Sequence, residues 1–334
     1  MRAAVVEAHG QAPRIGERTD PQRRPGTTLV RLNATSINPI DLVISSGAHP
    51  AGTPPVPHVP GVEGVGTVVE SAVFTAGTRV RVTVPGCFVD GTFAEYTVAP
   101  DEACVPIPDQ LGDAAAAAIG VVGSSALVAL RDLAGLLAGE SVLVIGATGG
   151  FGQAIVQIAR ALGAGRVVAA GRNPKRLDRL AAPTGDAELN TAPINTAPID
   201  IETVLLDPDP AAFVQQLEKR GGKVDVVVDT LWGPYAQPAL ACLAPTGRYL
   251  NVGNAAGGEA TLNAGLLRHG QLTMTGFSAS ALSPEEGNAA YRDVIDLAVA
   301  GRLNLAIDTY PLDDIEAAWN AQVASPGAKI VVQA

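Results

Sequence analysis

Three stretches of this chain carry residues whose types and spacing could do chemistry. The first is Gly146-Ala147-Thr148-Gly149-Gly150-Phe151-Gly152, which follows the apolar or small residues Ser141 to Ile145. Glycines there let the backbone turn tightly and aim the first amides of a helix at one spot, where the helix dipole also favours negative charge. A pyrophosphate fits that spot. The pattern reads A-x-G-x-x-G over Ala147, Gly149 and Gly152, with Ala in place of the first glycine. The other two stretches are Asn38-Pro39-Ile40-Asp41, followed by Val43 and His49, and Pro60-Gly61-Val62-Glu63-Gly64-Val65-Gly66. Taken alone, both read as turn chemistry, because Pro and Gly set backbone angles and Asn or Asp cap nearby amides.

The elements around the glycine turn give it its meaning. Ser141 to Ile145 reads as a buried parallel strand, and Phe151, Ile155, Ile158, Ala159 and Leu162 recur at the spacing of a helix packed on a sheet. Gly163 stops that helix and Arg166 to Ala170 return as a second strand, so strand, turn, helix and strand fall within about thirty residues, the context the motif needs. Further on, Leu177 to Ala182, Asp209 to Arg220 and Pro238 to Leu243 read as helices. Val224 to Asp229, Arg248 to Val252 and Leu272 to Phe277 read as strands. Strands alternating with helices over residues 121–278 predict an α/β fold with a doubly wound parallel sheet. Ligands of such sheets bind beyond the carboxyl ends of the strands, which selects Gly253 and Asn254 as cofactor contacts.

Residues 1 to 118 differ: MRAAVV, TTLVRLNATSI, GVGTVVE, TRVRVTV and FAEYTVAP are short alternating segments separated by Gly, Pro and Asp, a folded-over β domain. Asp113 is placed to cap a helix after it, and the apolar run Ala114 to Leu130 suits a buried inter-domain helix better than a membrane span. The tandem Asn190-Thr191-Ala192-Pro193-Ile194 and Asn195-Thr196-Ala197-Pro198-Ile199 reads as a surface loop, since prolines at that spacing suit neither helix nor central strand. Beyond it, Glu285 to Ala300 reads as a helix, and YPLDDIEAAWNAQ with AKIVVQ as a closing helix and strand.

Composition sets the bounds. With 334 residues, 47% of them hydrophobic and 17% charged, the chain can bury a sizeable core and form two domains. A net charge of −10 without a basic cluster argues against a nucleic-acid partner. The three cysteines, Cys87, Cys104 and Cys242, form neither a disulfide framework nor a metal pattern, and no export segment is visible at the start. A reducing cytoplasm is the simplest setting.

On these residues the chain resembles the medium-chain dehydrogenase/reductase superfamily, and within it the zinc-independent quinone oxidoreductase (zeta-crystallin-like) branch. The resemblance is carried by Asn38 to Asp41, Pro60 to Gly66, Gly123-Ser124-Ser125-Ala126, the Ala147 to Gly152 turn and the YPLDDIEAAW to AKIVV tail. It implies a Rossmann NADPH-binding domain (121–278) inserted into a GroES-like β-rich catalytic domain built from residues 1–120 and 279–334, with the active site in the cleft. It also implies a homodimer in which the last strands of two nucleotide domains pair. Two departures stand out. Family members often carry a tyrosine soon after the Asn-Pro-x-Asp motif, where this chain has Val43 and His49. The tail reads Gly327-Ala328-Lys329 rather than Gly-Lys, so no ligand role is carried to Lys329.

The resemblance further implies which residues meet cofactor and substrate. Ser125, the turn residues Ala147, Thr148, Gly149, Gly150, Phe151 and Gly152, and Gly253 and Asn254 are expected to touch the cofactor, while Asn38, Val43 and His49 face the substrate. NAD-binding members of this fold end the second strand with an acid. Here Ala170 is followed by Gly171 and Arg172, with Lys175 and Arg176 close behind, so Gly171 leaves room for a 2′-phosphate, Arg172 holds it, and NADPH is expected. No metal is expected. Zinc-dependent relatives have a cysteine within the segment 38–41, a His-Glu pair where this chain has Val62-Glu63, and four clustered cysteines missing here. Without a Lewis acid, reduction of a quinone or an α,β-unsaturated carbonyl is favoured, with His49 as candidate proton donor because imidazoles exchange protons near neutrality. Two other readings stay open: reductive tailoring or cyclisation of a larger natural product, and a non-catalytic, crystallin-like NADPH-binding protein.

Overall fold

A computed structural model describes residues 1–84, 89–181, 201–207, 209–220, 222–324 and 327–334. The tandem repeat at 190–199 and Cys87 therefore lie outside the described residues. The chain divides into two compact units: Met1–Val121 with Ser283–Val299 and Leu305–Ala334, and Val122–Leu282 with Ala300–Asn304.

The first unit opens with an antiparallel pair, β1 (Arg2–Val5) and β2 (Arg14–Glu17). Then come β3 (Thr27–Ser36), the short helix α1 (Pro39–Ser45), β4 (Glu63–Glu70), β5 (Arg79–Thr83), β6 (Tyr96–Pro100) and β7 (Cys104–Pro106). Period-two alternation makes β3 a half-buried strand: Thr28, Val30 and Leu32 point to the core and Arg31 to water. Gly64 and Gly66 of β4 are needed for close pairing. A side chain on Gly66 would begin 2.1 Å from the Arg31 carbonyl oxygen, and one on Gly64 would lie 2.8 Å from Leu32.

The apolar run 114–130 is not one helix. It forms α2 (Asp113–Ala118), α3 (Gly120–Leu127) and a π-helical turn over Val128–Leu133. The break falls at Gly120, where a Cβ would meet the Glu63 carboxylate at 1.9 Å. Asp113 does not cap α2 as its position suggests. Gly112 is the N-cap, and the Asp113 carboxylate binds Arg79 at 2.5 Å and Asn33 at 2.9 Å.

The second unit holds β8 (Ser141–Ile145), α4 (Gly150–Ala161), β9 (Arg166–Gly171), α5 (Pro174–Ala181), β10 (Ile201–Leu205), α6 (Pro210–Lys219), β11 (Val224–Asp229), α7 (Ala236–Ala241), β12 (Leu243–Asn251), α8 (Ala264–Gly270) and β13 (Thr273–Gly276). The strands run parallel in the order β10-β9-β8-β11-β12-β13, so the sheet reverses direction of winding at β8. This is the doubly wound Rossmann order. Leu143, Ile145, Val168, Val227, Phe213 and Tyr249 fill its core. The helix after the glycine turn buries Ile155, Ile158 and Ala159 as its spacing predicts, and Gly163, at φ +87°, ends it. Sequence reasoning passed over β10 and α8.

The chain then returns with α9 (Pro284–Val299), β14 (Ile307–Pro311), α10 (Ile315–Val323) and β15 (Lys329–Gln333). β15 lies parallel to β14 and antiparallel to β3, inside a seven-stranded sheet of order β14-β15-β3-β4-β5-β7 with β6 also paired to β3. Between α9 and β14, residues 300–304 belong to the nucleotide-type unit, where Asn304 and Gln157 exchange two hydrogen bonds of 2.7 and 3.0 Å. No helix among the described residues is long and apolar enough to cross a membrane. Cys104 and Cys242 are free and buried.

Candidate active site and nucleotide turn

The turn after β8 is built from three spaced glycines. Gly146 adopts φ +83°, the left-handed region, and its amide and that of Ala147 both donate to the Ala170 carbonyl at the end of β9. Because Gly146 takes the strained position, the buried Ala147 serves where the fingerprint has its first glycine. Gly149 is the N-cap of α4, and a Cβ on it would meet only the Gly146 carbonyl oxygen, at 3.6 Å, so the backbone can be approached closely from outside. Gly152 cannot be replaced so freely: its Cβ would lie 2.3 Å from the Gly146 carbonyl oxygen and 2.6 Å from Ala147 Cα. The turn and the helix therefore pack backbone to backbone, and α4 directs its first amides outward at the sheet's carboxyl edge. Gln153 fastens the turn through a 3.2 Å bond to the Thr148 carbonyl.

Neighbouring strand ends complete this edge. The hydroxyl of Thr230, just past β11, donates to Ile145 at 2.8 Å, and Gly253, past β12, packs so tightly on Thr230 that a Cβ would sit 2.6 Å from its carbonyl oxygen. Asn251 secures the Gly253 carbonyl at 2.9 Å. The buried Asp229 carboxylate accepts from the Leu231 and Trp232 amides and from the Tyr249 hydroxyl, and burial pushes its carboxyl upward. Those bonds hold Trp232 at φ 58°, a conformation bulky side chains rarely adopt.

The first unit contains a second polar centre, wholly buried. Glu63, 0% exposed, receives four donors: Ser36 Oγ at 2.8 Å, Asn38 Nδ2 at 3.0 Å, Arg81 Nη2 at 3.0 Å and the Val121 amide at 2.8 Å. Burial alone would raise the Glu63 carboxyl. Arg81, Lys329 and the bonds from Asn38 and Ser36 outweigh it and hold the group below its ordinary value. The Arg81 guanidinium lies 4.8 Å from the Tyr291 ring centre. Asp41 accepts from the Asn38 amide at 2.7 Å and the Val62 amide at 2.9 Å, and Lys329 Nζ donates to the Ile37 carbonyl and Asn38 Oδ1 at 2.8 and 2.6 Å.

Known proteins share both halves of this geometry. A profile of the alcohol dehydrogenase GroES-like domain matches residues 24–109, and one of the zinc-binding dehydrogenases matches residues 150–300. A zinc-type alcohol dehydrogenase-like protein of Schizosaccharomyces pombe is 30% identical over 289 residues, 84% of this chain and 79% of that one. The chain belongs to the medium-chain dehydrogenase/reductase superfamily. The quinone oxidoreductase of Thermus thermophilus, solved also with NADPH, is similar in fold: the match covers all of this chain and all of that one, at 28% identity with a TM-score of 0.78. A phenolphthiocerol-synthesis polyketide synthase of Mycobacterium marinum is 33% identical over 228 residues, 68% of this chain; the match spans 10% of that synthase.

For this medium-chain oxidoreductase the structure sorts the candidate residues. Ala147, Thr148, Gly149, Gly150, Phe151, Gly152, Gly253 and Asn254 all stand on the carboxyl edge of the parallel sheet, as do Gly171 and the exposed Arg172 and Lys175 and the half-buried Arg176. Gly171 is also constrained by packing. A Cβ there would lie 2.7 Å from Thr148 Cγ2, so its missing side chain makes room for Thr148 of the turn. Ser125 is 5% exposed in α3, beside Ser124, whose buried hydroxyl has no partner among the described residues. Asn38 also departs from expectation: it is 1% exposed and its amide is spent on Ser36, Glu63 and Lys329, so it is turned into the unit and does not present itself to a substrate. Val43 is 39% exposed on α1, and His49 is half-buried in the following loop, its Nδ1 accepting from the Ala51 amide at 3.2 Å. With Nδ1 so occupied, a neutral ring carries its proton on Nε2. Sequence reasoning passed over Arg81 and gave Lys329 no role. The available signal was a cation inside a strand rich in valine, Arg81 between Val80 and Val82, and one at the start of the apolar Ile330-Val331-Val332 run.

Proposed function

We propose that this chain is an NADPH-dependent reductase that delivers hydride to a quinone or to the β-carbon of an α,β-unsaturated carbonyl, without zinc. The observation that carries the reading is the Gly146, Gly149 and Gly152 turn at the point where the sheet order reverses, with Arg172, Lys175 and Arg176 following β9. The α4 amides suit a pyrophosphate and the three cations suit a 2′-phosphate, a group an acid at the strand end would repel. NADPH, when bound, supplies the hydride. The residues of the chain hold it, and a proton must reach the α-carbon or oxygen of the acceptor from His49 Nε2 or from water.

The residues present do not fit a catalytic zinc. The segment 38–41 offers an amide and a carboxylate instead of a thiolate, Glu63 has both oxygens committed, and two buried cations, Arg81 and Lys329, adjoin it. A divalent ion placed there would meet like charge and too few free ligands. Reduction of a conjugated acceptor needs only hydrogen-bond donors at the developing oxyanion. We further propose a homodimer joined through β13, which ends the six-stranded sheet, and a cytoplasmic setting.

The deciding experiment follows NADPH and NADH consumption against a panel of quinones, enones and enoyl thioesters, with zinc content and molar mass measured on the same dialysed protein. NADPH-dependent turnover of a quinone or enone by zinc-free protein is the expected result. NADPH binding with no turnover of any acceptor would favour the non-catalytic reading, and stoichiometric zinc removable only with loss of activity would overturn the metal-free one. A second reading, reductive tailoring of a larger acyl substrate, draws on the polyketide synthase relatives; turnover confined to enoyl thioesters would select it. His49→Ala should lower the rate and change its pH profile, and an unchanged profile would assign the proton to solvent.

A further inference from the structure

The reaction above has no role for Lys329 or Asp41, yet they are only 3% and 1% exposed, beside Glu63 and Arg81. Burying two cations and two carboxylates is costly unless hydrogen bonds complete them. Those bonds converge on Asn38. Lys329 Nζ donates to its Oδ1 at 2.6 Å, its Nδ2 donates to Glu63 at 3.0 Å, and its backbone amide donates to Asp41 at 2.7 Å. Charge therefore dictates the orientation of the Asn38 amide: oxygen toward the ammonium, nitrogen toward the carboxylate.

Asn38 precedes α1 and Asp41 lies in its first turn, so the same bonds set where α1 begins and how it is rotated. The loop after α1 is tied to it. Ser46 Oγ and the Ala48 amide both donate to the Val43 carbonyl, at 2.8 and 3.3 Å, and Thr53 Oγ1 donates to the Gly47 carbonyl at 3.0 Å. Val43 and His49 are thus carried by an element whose anchor is an ammonium on β15, 291 residues away in sequence.

We propose that Lys329 is a positioning residue: by fixing the Asn38 amide and the start of α1, it sets the pose in which Val43 and His49 meet the acceptor in the reduction proposed above, the reading on which this inference rests. Its charge is removable under assay conditions. Burial pushes Lys329 down to about 8, against the pull of Glu63 and Asp41, and pushes Asp41 up to about 7, against the amides of Asn38 and Val62 and the charge of Lys329. Arg81 and Glu63 complete the charged groups of the cluster. Above the Lys329 transition Asn38 Oδ1 loses its cationic partner, and α1 is released from one of its two anchors.

The test uses the full chain as wild type, Lys329→Met and Asp41→Asn. Backbone amide resonances of residues 40–46 are followed against pH, together with kcat and KM for a reducible acceptor and the NADPH dissociation constant. The wild type should show an alkaline titration of those amides, with KM rising about tenfold through it and NADPH affinity unchanged, because the nucleotide is held elsewhere. Lys329→Met should lose the titration and hold the high KM at every pH. Asp41→Asn removes a negative neighbour of the ammonium, so the alkaline titration should move to lower pH. Amide resonances flat with pH, a titration unmoved in Asp41→Asn, or a Lys329→Met enzyme with wild-type KM and pH profile would each overturn the proposal. If Lys329→Met does not fold, the near-isosteric Asp41→Asn decides. If the wild type reduces no acceptor, the functional reading fails while the amide titration still decides this one.

Discussion

Arg172 stands exposed at the end of β9, with the Asn173 side chain capping the Arg176 amide at 3.2 Å one turn into α5. A guanidinium there suits the 2′-phosphate of the cofactor proposed above. Arg172→Ala should raise the KM for NADPH roughly tenfold and leave that for NADH nearly unchanged, in keeping with about 1.5–3 kcal/mol for a charged hydrogen bond. Equal effects on both cofactors would refute the assignment. Glu63 works oppositely, wholly inside. Its carboxyl titrates below its ordinary value, so the stability it contributes is present above the ordinary carboxylate range and is lost as pH falls through the folded value. Asp41, raised to about 7, has the reverse sign: its folding cost is full above 7 and is relieved on acidification. Glu63→Gln should cost about 3–5 kcal/mol at neutral pH by stranding Arg81, and should flatten the acid limb of a plot of Tm against pH. A Glu63→Gln protein that loses stability in acid as steeply as wild type would show that other carboxyls set that limb.

At the scale of elements, the glycine turn and the broken helix differ in how far each could be read from the chain. The turn was legible because its requirements are local: Gly146, Gly149 and Gly152 lie within seven residues, flanked by a strand and an amphipathic helix. What stayed hidden was the division of labour, in which Gly146 takes the left-handed position and Gly152 the close approach, since both depend on the folded backbone. Gly152→Ala should therefore cost about 1–3 kcal/mol through overpacking and weaken NADPH binding more than tenfold by pushing α4 off the turn. Tm and a fluorescence titration would measure both, and a variant that binds normally would contradict the geometry. In the run 114–130 the sequence offers a break at Gly123-Ser124-Ser125, and the actual break at Gly120 stayed hidden because the group that makes it, the Glu63 carboxylate, comes from a strand far upstream. Asp113 misled for the same reason: its partner Arg79 belongs to β5. Local propensity proposes helix ends, and distant charges revise them.

Across the whole molecule, chain order and spatial order part company. The parallel sheet uses a continuous segment, so alternation of strands and helices was enough to predict it. The seven-stranded sheet joins the two ends of the chain; the family resemblance anticipated that both ends build one domain, and the pairing of β15 with β3 came from the structure. Removing residues 329–334 would delete an interior strand, the anchor of Asn38 and the buried Ile330, Val331 and Val332. Such a truncation should abolish cooperative melting of the first unit while the amides of 141–171 keep their protection from exchange. Loss of protection in both units would show that the second depends on the first.

The placement of β15 also sets a timetable. During synthesis residues 1–121 precede by about two hundred residues the strand and the lysine that complete their unit, whereas Val122–Leu282 and residues 300–304 are all made before Lys329. The usual order, in which the earlier-made domain folds ahead of its successor, should therefore be inverted. Nascent chains stalled just before Lys329 should hold a protease-resistant parallel sheet and a digestible segment 1–121, whose β3 edge waits for β15.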